Sequence, residues 1–171
     1  MSEINNLPYD LVLIDIADYV DAYVISNPAA LEIARYCLID SMACALDALD
    51  FHECTRLLGP VVPGATLKVG ARVPGMDLML DPVTAAFNIG AMVRWTDFND
   101  TWTAPQTTHP SDDVGAILAV ADYLSRVRMG KGEAPITLRT VLEAMIKAHE
   151  IQGVLGMGPV SYTHLTLPTK A

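Results

Sequence analysis

The chain has 171 residues, 51% of them hydrophobic, with a mean hydropathy of +0.31 and a formal net charge of −9. That composition suffices for one domain with a sizeable core and excludes general disorder, while the acidic balance argues against nucleic-acid and anionic-membrane partners. No apolar run reaches the roughly eighteen residues of a transmembrane helix, and MSEINNLPYDL carries acidic and amide residues where an export signal would carry Lys or Arg, which points to a cytoplasmic protein.

In chain order, residues 10–25 read as a first helix, with Leu13, Ile16, Ala17, Val20 and Val24 on one face and Asp15, Asp18 and Asp21 elsewhere. Asn27-Pro28 supplies an N-cap and a first-position proline for a second helix to about Leu49. A short helix is expected over 52–58, ended by Gly59-Pro60. From residue 61 to 80 the helical period is lost. The turn dipeptides Pro63-Gly64 and Pro74-Gly75 bracket ATLKVGARV, which suits a short strand or an extended crossover.

Asp81-Pro82 repeats the cap-and-proline signal and opens a helix over 82–95, thin enough through Ala85, Ala86, Gly90 and Ala91 to pack deeply. Ser111 is expected to cap a helix running to about Arg128, and Thr137 a last one over 138–154. The pattern is that of a mostly helical, all-α fold with one irregular crossover at 60–80. Cys37, Cys44 and Cys54 match no zinc spacing and read as buried reduced thiols.

Between the two helices flanking it, WTDFNDTWTAPQTTHPSDD gathers two tryptophans, four aspartates, an asparagine and a histidine. A polar, aromatic-punctuated loop between apolar helices is where a scaffold presents chemistry. A carboxylate and an imidazole can divide proton removal and proton delivery, which singles out Asp97 and His109. The flanking tryptophans suggest a partly desolvated Asp97 carboxylate, whose pKa would rise. Asp97, Asn99 and Thr101 have the first spacings of a calcium loop, but Trp102 stands at its glycine position and Thr108 at its glutamate position, so no metal site is expected. Asn99 and Asp100 are candidates for substrate contact or for holding the loop, and Trp102 for packing and excluding water. Arg94 is near enough in sequence to meet a substrate carboxylate, whereas Asp112 and Asp113 suit the first turn of a helix. His149 reads as a structural mid-helix histidine. There is no Gly-rich phosphate loop, no G-x-S-x-G elbow and no H-E-x-x-H.

The loop carries a resemblance. DFNDTW followed by HPSD resembles the signature of the PrpD/MmgE family, and RYCLIDSMACALDAL, LLGPVVPG, RVPG, LDPVTAAFNIGAMVRW and AMIKAHEIQG extend it on both sides in the expected order. It covers roughly residues 4 to 154, so residues 1–155 are expected to form the first part of the family's large helical domain. GMGPVSYTHLTLPTKA, residues 156–171, reads as a non-family tail, artefactual or disordered, in which Tyr162 and His164 carry no functional weight.

The resemblance implies a hydro-lyase: 2-methylcitrate losing water to give 2-methyl-cis-aconitate in propionate breakdown. Asp97 and His109 match the family's active-site positions. It further implies a small-molecule tricarboxylate substrate, no cofactor, and a homodimer in the full-length protein. The alternatives are a cis-aconitate decarboxylase-like enzyme of the same family and a helical binding module without chemistry. Because the family draws further substrate-binding residues from later sequence, these 171 residues alone are expected to be inactive and to expose apolar faces.

Overall fold

The computed structural model describes residues 10–157. Of the expected tail over 156–171, residues 158–171, with Tyr162 and His164, lie outside the described residues. Six helices occur among them: α1 (Leu11–Ala22), α2 (Pro28–Asp47), α3 (His52–Thr55), α4 (Pro82–Arg94), α5 (Val114–Gly130) and α6 (Leu138–Met157). The all-α expectation is met, apart from a two-stranded antiparallel ribbon in the crossover. There β1 (Ala71–Arg72) pairs with β2 (Met79–Leu80) in the register Ala71 to Leu80.

The helix starts follow the cap chemistry. The Asn27 side chain accepts from the Ala29 amide at 2.9 Å, Asp81 from the Val83 and Thr84 amides at 3.0 Å each, and the Thr137 hydroxyl from the Thr140 amide at 3.1 Å. Ser111 departs from expectation. It lies inside a 3-10 turn, Pro110–Asp113, ahead of α5, and its own amide donates to Asp100 Oδ1 at 3.1 Å. The loop, not the helix, claims that residue. Helix α6 likewise runs to Met157, beyond the expected stop at 154, with Gly156 buried against the loop.

Two apolar clusters form the core. The first joins the end of α2, the ribbon, α4 and the middle of α5 through Ala45, Leu80, Ile89, Met92 and Ala119. The second joins the start of α2 and α5 to α6 through Ala34, Val114, Leu142, Met145 and Ile146. Helices α4 and α5 approach to backbone contact: a Cβ added at Gly115 would stand 2.8 Å from the Ala86 carbonyl oxygen and 2.9 Å from the Gly90 nitrogen. The crossover is fastened by fully buried Asn88, which accepts from the Gly59 amide at 2.6 Å and donates to the carbonyls of Gly59 and Thr84. A buried amide with these partners recovers in hydrogen bonds the cost of leaving water.

Helix α1 leaves its apolar face largely uncovered. None of its residues is buried, and Leu11, Leu13, Val20 and the following Val24 are exposed. Polar ties hold its C-terminal part instead. Tyr19 donates to Glu150, and Lys147 Nζ to the Val20 carbonyl at 2.7 Å, while Arg139 Nη2 reaches the Ile25 carbonyl at 2.8 Å. The apolar stripe is present, but no described element covers it. None of the described helices is long and apolar enough to cross a membrane.

Candidate active site

The loop between α4 and α5 is anchored at both ends by one guanidinium. Arg94, at the last turn of α4, ion-pairs with Asp97 and, through Nε, with Asp112 at 3.1 Å. The Asp112 amide donates in turn to the His109 carbonyl at 3.0 Å. Asp97 and His109 are thus tied to one frame, although neither a hydrogen bond nor an ion pair joins them directly among the described contacts. Arg94 is also the one Lys or Arg between residues 81 and 113.

Asp97 sits at φ 55°, the one non-glycine residue with positive φ among those described. Aspartate tolerates this left-handed region better than most residues, but holding it there still costs on the order of 1 kcal/mol. Its side chain is 70% exposed. The expectation of an Asp97 carboxylate desolvated by the tryptophans is therefore corrected. Trp95 instead packs near Phe51, with ring centroids 6.5 Å apart, and Trp102 lies over Gly153 of α6.

His109 is half-buried, and its Nδ1 stands 2.8 Å from the Asp100 carbonyl oxygen. A carbonyl only accepts, so Nδ1 carries a proton, and of the two neutral tautomers this bond selects the one with its lone pair on Nε2. Asp100 does double duty, since its side chain accepts from the Ser111 amide. Across the loop Trp102 and Thr108 exchange backbone hydrogen bonds of 2.8 and 3.1 Å. Arg94 Nη1, Thr96 Oγ1, both side-chain atoms of Asn99, Thr108 Oγ1 and Ser111 Oγ are buried without partners. Buried polar groups are ordinarily paired, so this loop holds a concentration of unspent hydrogen-bonding capacity. No group of three or more His, Cys, Asp or Glu able to hold a metal occurs among the described residues.

Two further titratable groups lie beneath the loop. Burial pushes the Asp113 carboxyl up, with His149 acting against it and Asp112 and Asp100 adding to it. Burial pushes the His149 imidazole down, opposed by the charges of Asp100 and Asp113 and by the Pro110 backbone. The thiol of Cys37 is also raised, first by burial and then by Asp100 and Asp40, as is buried Cys54 by burial, so neither is an activated nucleophile.

The His149 shift has a consequence for stability. A histidine lowered by folding binds its proton more weakly in the native than in the unfolded state, so stability is lost as pH falls from about 6.5 toward the lowered native value. Asp113, raised by folding, acts in the opposite sense at lower pH: protonation relieves its burial cost as pH falls through its raised native value toward 3.8. Thermal melting of the wild-type chain is expected to drop in the first window, and His149→Asn to flatten that drop. An identical slope in the variant would remove His149 as its source.

The sequence matches the family profile described as the MmgE/PrpD N-terminal domain over residues 14–169. The chain belongs to the MmgE/PrpD family. The match runs past residue 155, where the motifs set the end of the family-like part. Among MmgE/PrpD relatives, the chain is 54% identical over 158 residues to the 2-methylcitrate dehydratase of Escherichia coli strain K12, covering 91% of this chain and 33% of that protein. It is 57% identical over 148 residues to the 2-methylcitrate dehydratase of Cupriavidus necator, covering 86% and 31%. The mitochondrial 2-methylcitrate dehydratase of Yarrowia lipolytica is 48% identical over 149 residues, with 86% and 29% covered. The chain spans about a third of the length of these relatives.

Of the residues singled out in the sequence, Arg94, Asp97, Asp100 and His109 fall within one connected frame. Asn99 is buried beside it, 8% exposed, and Trp102 closes the loop onto α6. Sequence reasoning passed over His149 and Asp113. A usable signal existed: His149, Gly153 and Gly156 recur at i, i+4 and i+7, one face of a helix, and two glycines on that face invite a loop to lie against it.

Proposed function

We propose that this chain carries the acid–base loop of a 2-methylcitrate dehydratase, acting on a tricarboxylate by removing a proton next to a carboxylate and expelling hydroxide. The observation that carries the reading is the Arg94-centred frame holding Asp97 and His109, in a chain 54–57% identical to enzymes of that name. Asp97, ion-paired with Arg94, is the carboxylate suited to accept the substrate proton. His109, with Nδ1–H committed to the Asp100 carbonyl, has Nε2 as the nitrogen that takes up a second proton and, from the imidazolium form, passes it to the departing hydroxyl, which leaves as water. Partnerless Asn99, Thr108 and Ser111 supply hydrogen bonds to substrate oxygens. With Arg94 already shared between two aspartates, the further cations that a tricarboxylate needs come from elsewhere in the complete enzyme.

The same reading assigns a cytoplasmic homodimer that uses no cofactor and binds no nucleic acid. The test is product analysis with 2-methylcitrate, using the protein extended to the length of its relatives. Water loss to an unsaturated tricarboxylate supports dehydration. Release of CO2 from cis-aconitate, without dehydration, would assign the decarboxylase chemistry of the same family, and turnover of neither would leave a binding module. Sedimentation of that protein tests the dimer.

A further inference from the structure

Helix α6 is the floor of the catalytic loop, and one face of it makes the contacts. A Cβ at Gly153 would stand 3.4 Å from the Trp102 indole, and the Gly156 carbonyl accepts from the Gln106 amide at 3.2 Å. One turn earlier on that face, His149 lines one cavity together with Asp100 and Pro110, where α6 contacts the 110–113 turn. Its Nε2 is buried with no hydrogen-bond partner among the described residues. That cavity, of about 900 Å3, lies between α1, α2, α6 and the loop, and Tyr19, Cys37 and Trp102 line it too. Asp100 and Pro110 are the two residues through which His109 is held: one supplies the carbonyl on Nδ1, the other follows it in the chain.

We propose that His149 is a positioning residue for His109: packed under the Asp100–Pro110 junction, it fixes the turn that keeps the His109 proton on Nδ1 and presents Nε2 to substrate. Its neutral ring can donate one N–H to the Pro110 carbonyl without adding charge beneath the loop. Removing it frees the turn to shift, and His109 then exchanges between tautomers, only one of which suits the proposed chemistry. The kinetic part rests on the dehydratase reading; the tautomer part does not.

The experiment compares His149→Leu and His149→Asn, the second keeping an N–H donor near the lost one. Nitrogen-15 NMR of the His109 ring is expected to show a single Nδ1–H tautomer in wild type, a mixture in His149→Leu and the wild-type pattern in His149→Asn. In the protein at the length of its relatives, kcat falls about ten- to a hundredfold in His149→Leu with KM within about twofold, and His149→Asn recovers most of it. Wild type gives a third readout that depends on no variant. As His149 titrates among Asp100, Asp113, Asp15 and Glu150, with Tyr19 and Cys37 in the same cavity, the His109 ring signals move with it. A His109 tautomer unchanged in folded His149→Leu, or His109 signals that ignore the titration of His149, overturns the proposal. A wild-type enzyme without dehydratase activity refutes the functional reading instead and leaves the tautomer result to decide His149.

Discussion

On the dehydratase reading, Asp97→Asn and His109→Ala are each expected to lower kcat for 2-methylcitrate dehydration by about 100- to 10,000-fold in the protein at the length of its relatives, the range over which a positioned acid or base contributes. The two substitutions differ in what they leave behind. Asparagine accepts the φ of 55° at position 97 as readily as aspartate, so Asp97→Asn keeps the backbone and removes the charge opposite Arg94. Because Asp97 is 70% exposed and Arg94 keeps its pair with Asp112, little stability goes with it, and melting temperature is expected to stay near wild type while turnover collapses. In His109→Ala the Asp100 carbonyl loses its partner at 2.8 Å, yet Asp100 still holds Ser111, so the loop persists without its imidazole. Steady-state kinetics alongside melting curves separates a chemical from a structural loss. Near-normal turnover in either folded variant would remove that residue from the chemistry.

Gly115→Ala destabilises the chain by about 3 kcal/mol or more, the upper end for overpacking, because the new methyl meets backbone and not a movable side chain. The Ala86 oxygen at 2.8 Å and the Gly90 nitrogen at 2.9 Å belong to α4, which can yield only by moving as a unit. For a domain of this size that corresponds to a fall in melting temperature of roughly 6–12 °C. The damage reaches the site, since α4 ends at Arg94 and α5 begins just after Asp113. Separating the helices spreads the two ends of the loop that Arg94 joins. Gly90→Ala is the control. Nothing lies within 4 Å of a Cβ there, and exchanging a mid-helix glycine for alanine is worth about 0.5–1 kcal/mol in favour of the fold. Equal melting temperatures for the two variants would contradict the close approach of α4 and α5.

Much of the architecture is legible before any coordinates. Asn27-Pro28, Asp81-Pro82 and Thr137 mark helix starts because capping is local chemistry: a side-chain oxygen within three residues of an orphan amide needs no tertiary help. The gap in helical period at 60–80 likewise predicts irregular chain, since apolar spacing is a property of the strand of sequence itself. The residue types concentrated in the loop, and the resemblance they carry, already point to Asp97 and His109.

Other features depend on what the chain meets in space. Ser111 has the composition of a cap, but Asp100, eleven residues earlier, takes its amide. Helix α1 has an apolar stripe, but a stripe states only that burial is favourable and not that a partner stands opposite. Asp97 sits between two tryptophans in sequence yet is solvated, while Asp113 and His149, which read as a surface carboxylate and a bland helix histidine, are the groups burial perturbs. Desolvation depends on every neighbour within several ångströms, and most of those are distant in sequence. The sequence by itself determined the helices, their caps and the chemical inventory of the loop. Only the tertiary structure decided which carboxylate desolvation perturbs, that one arginine joins both ends of the loop, and that a histidine forty residues further along the chain lies beneath it.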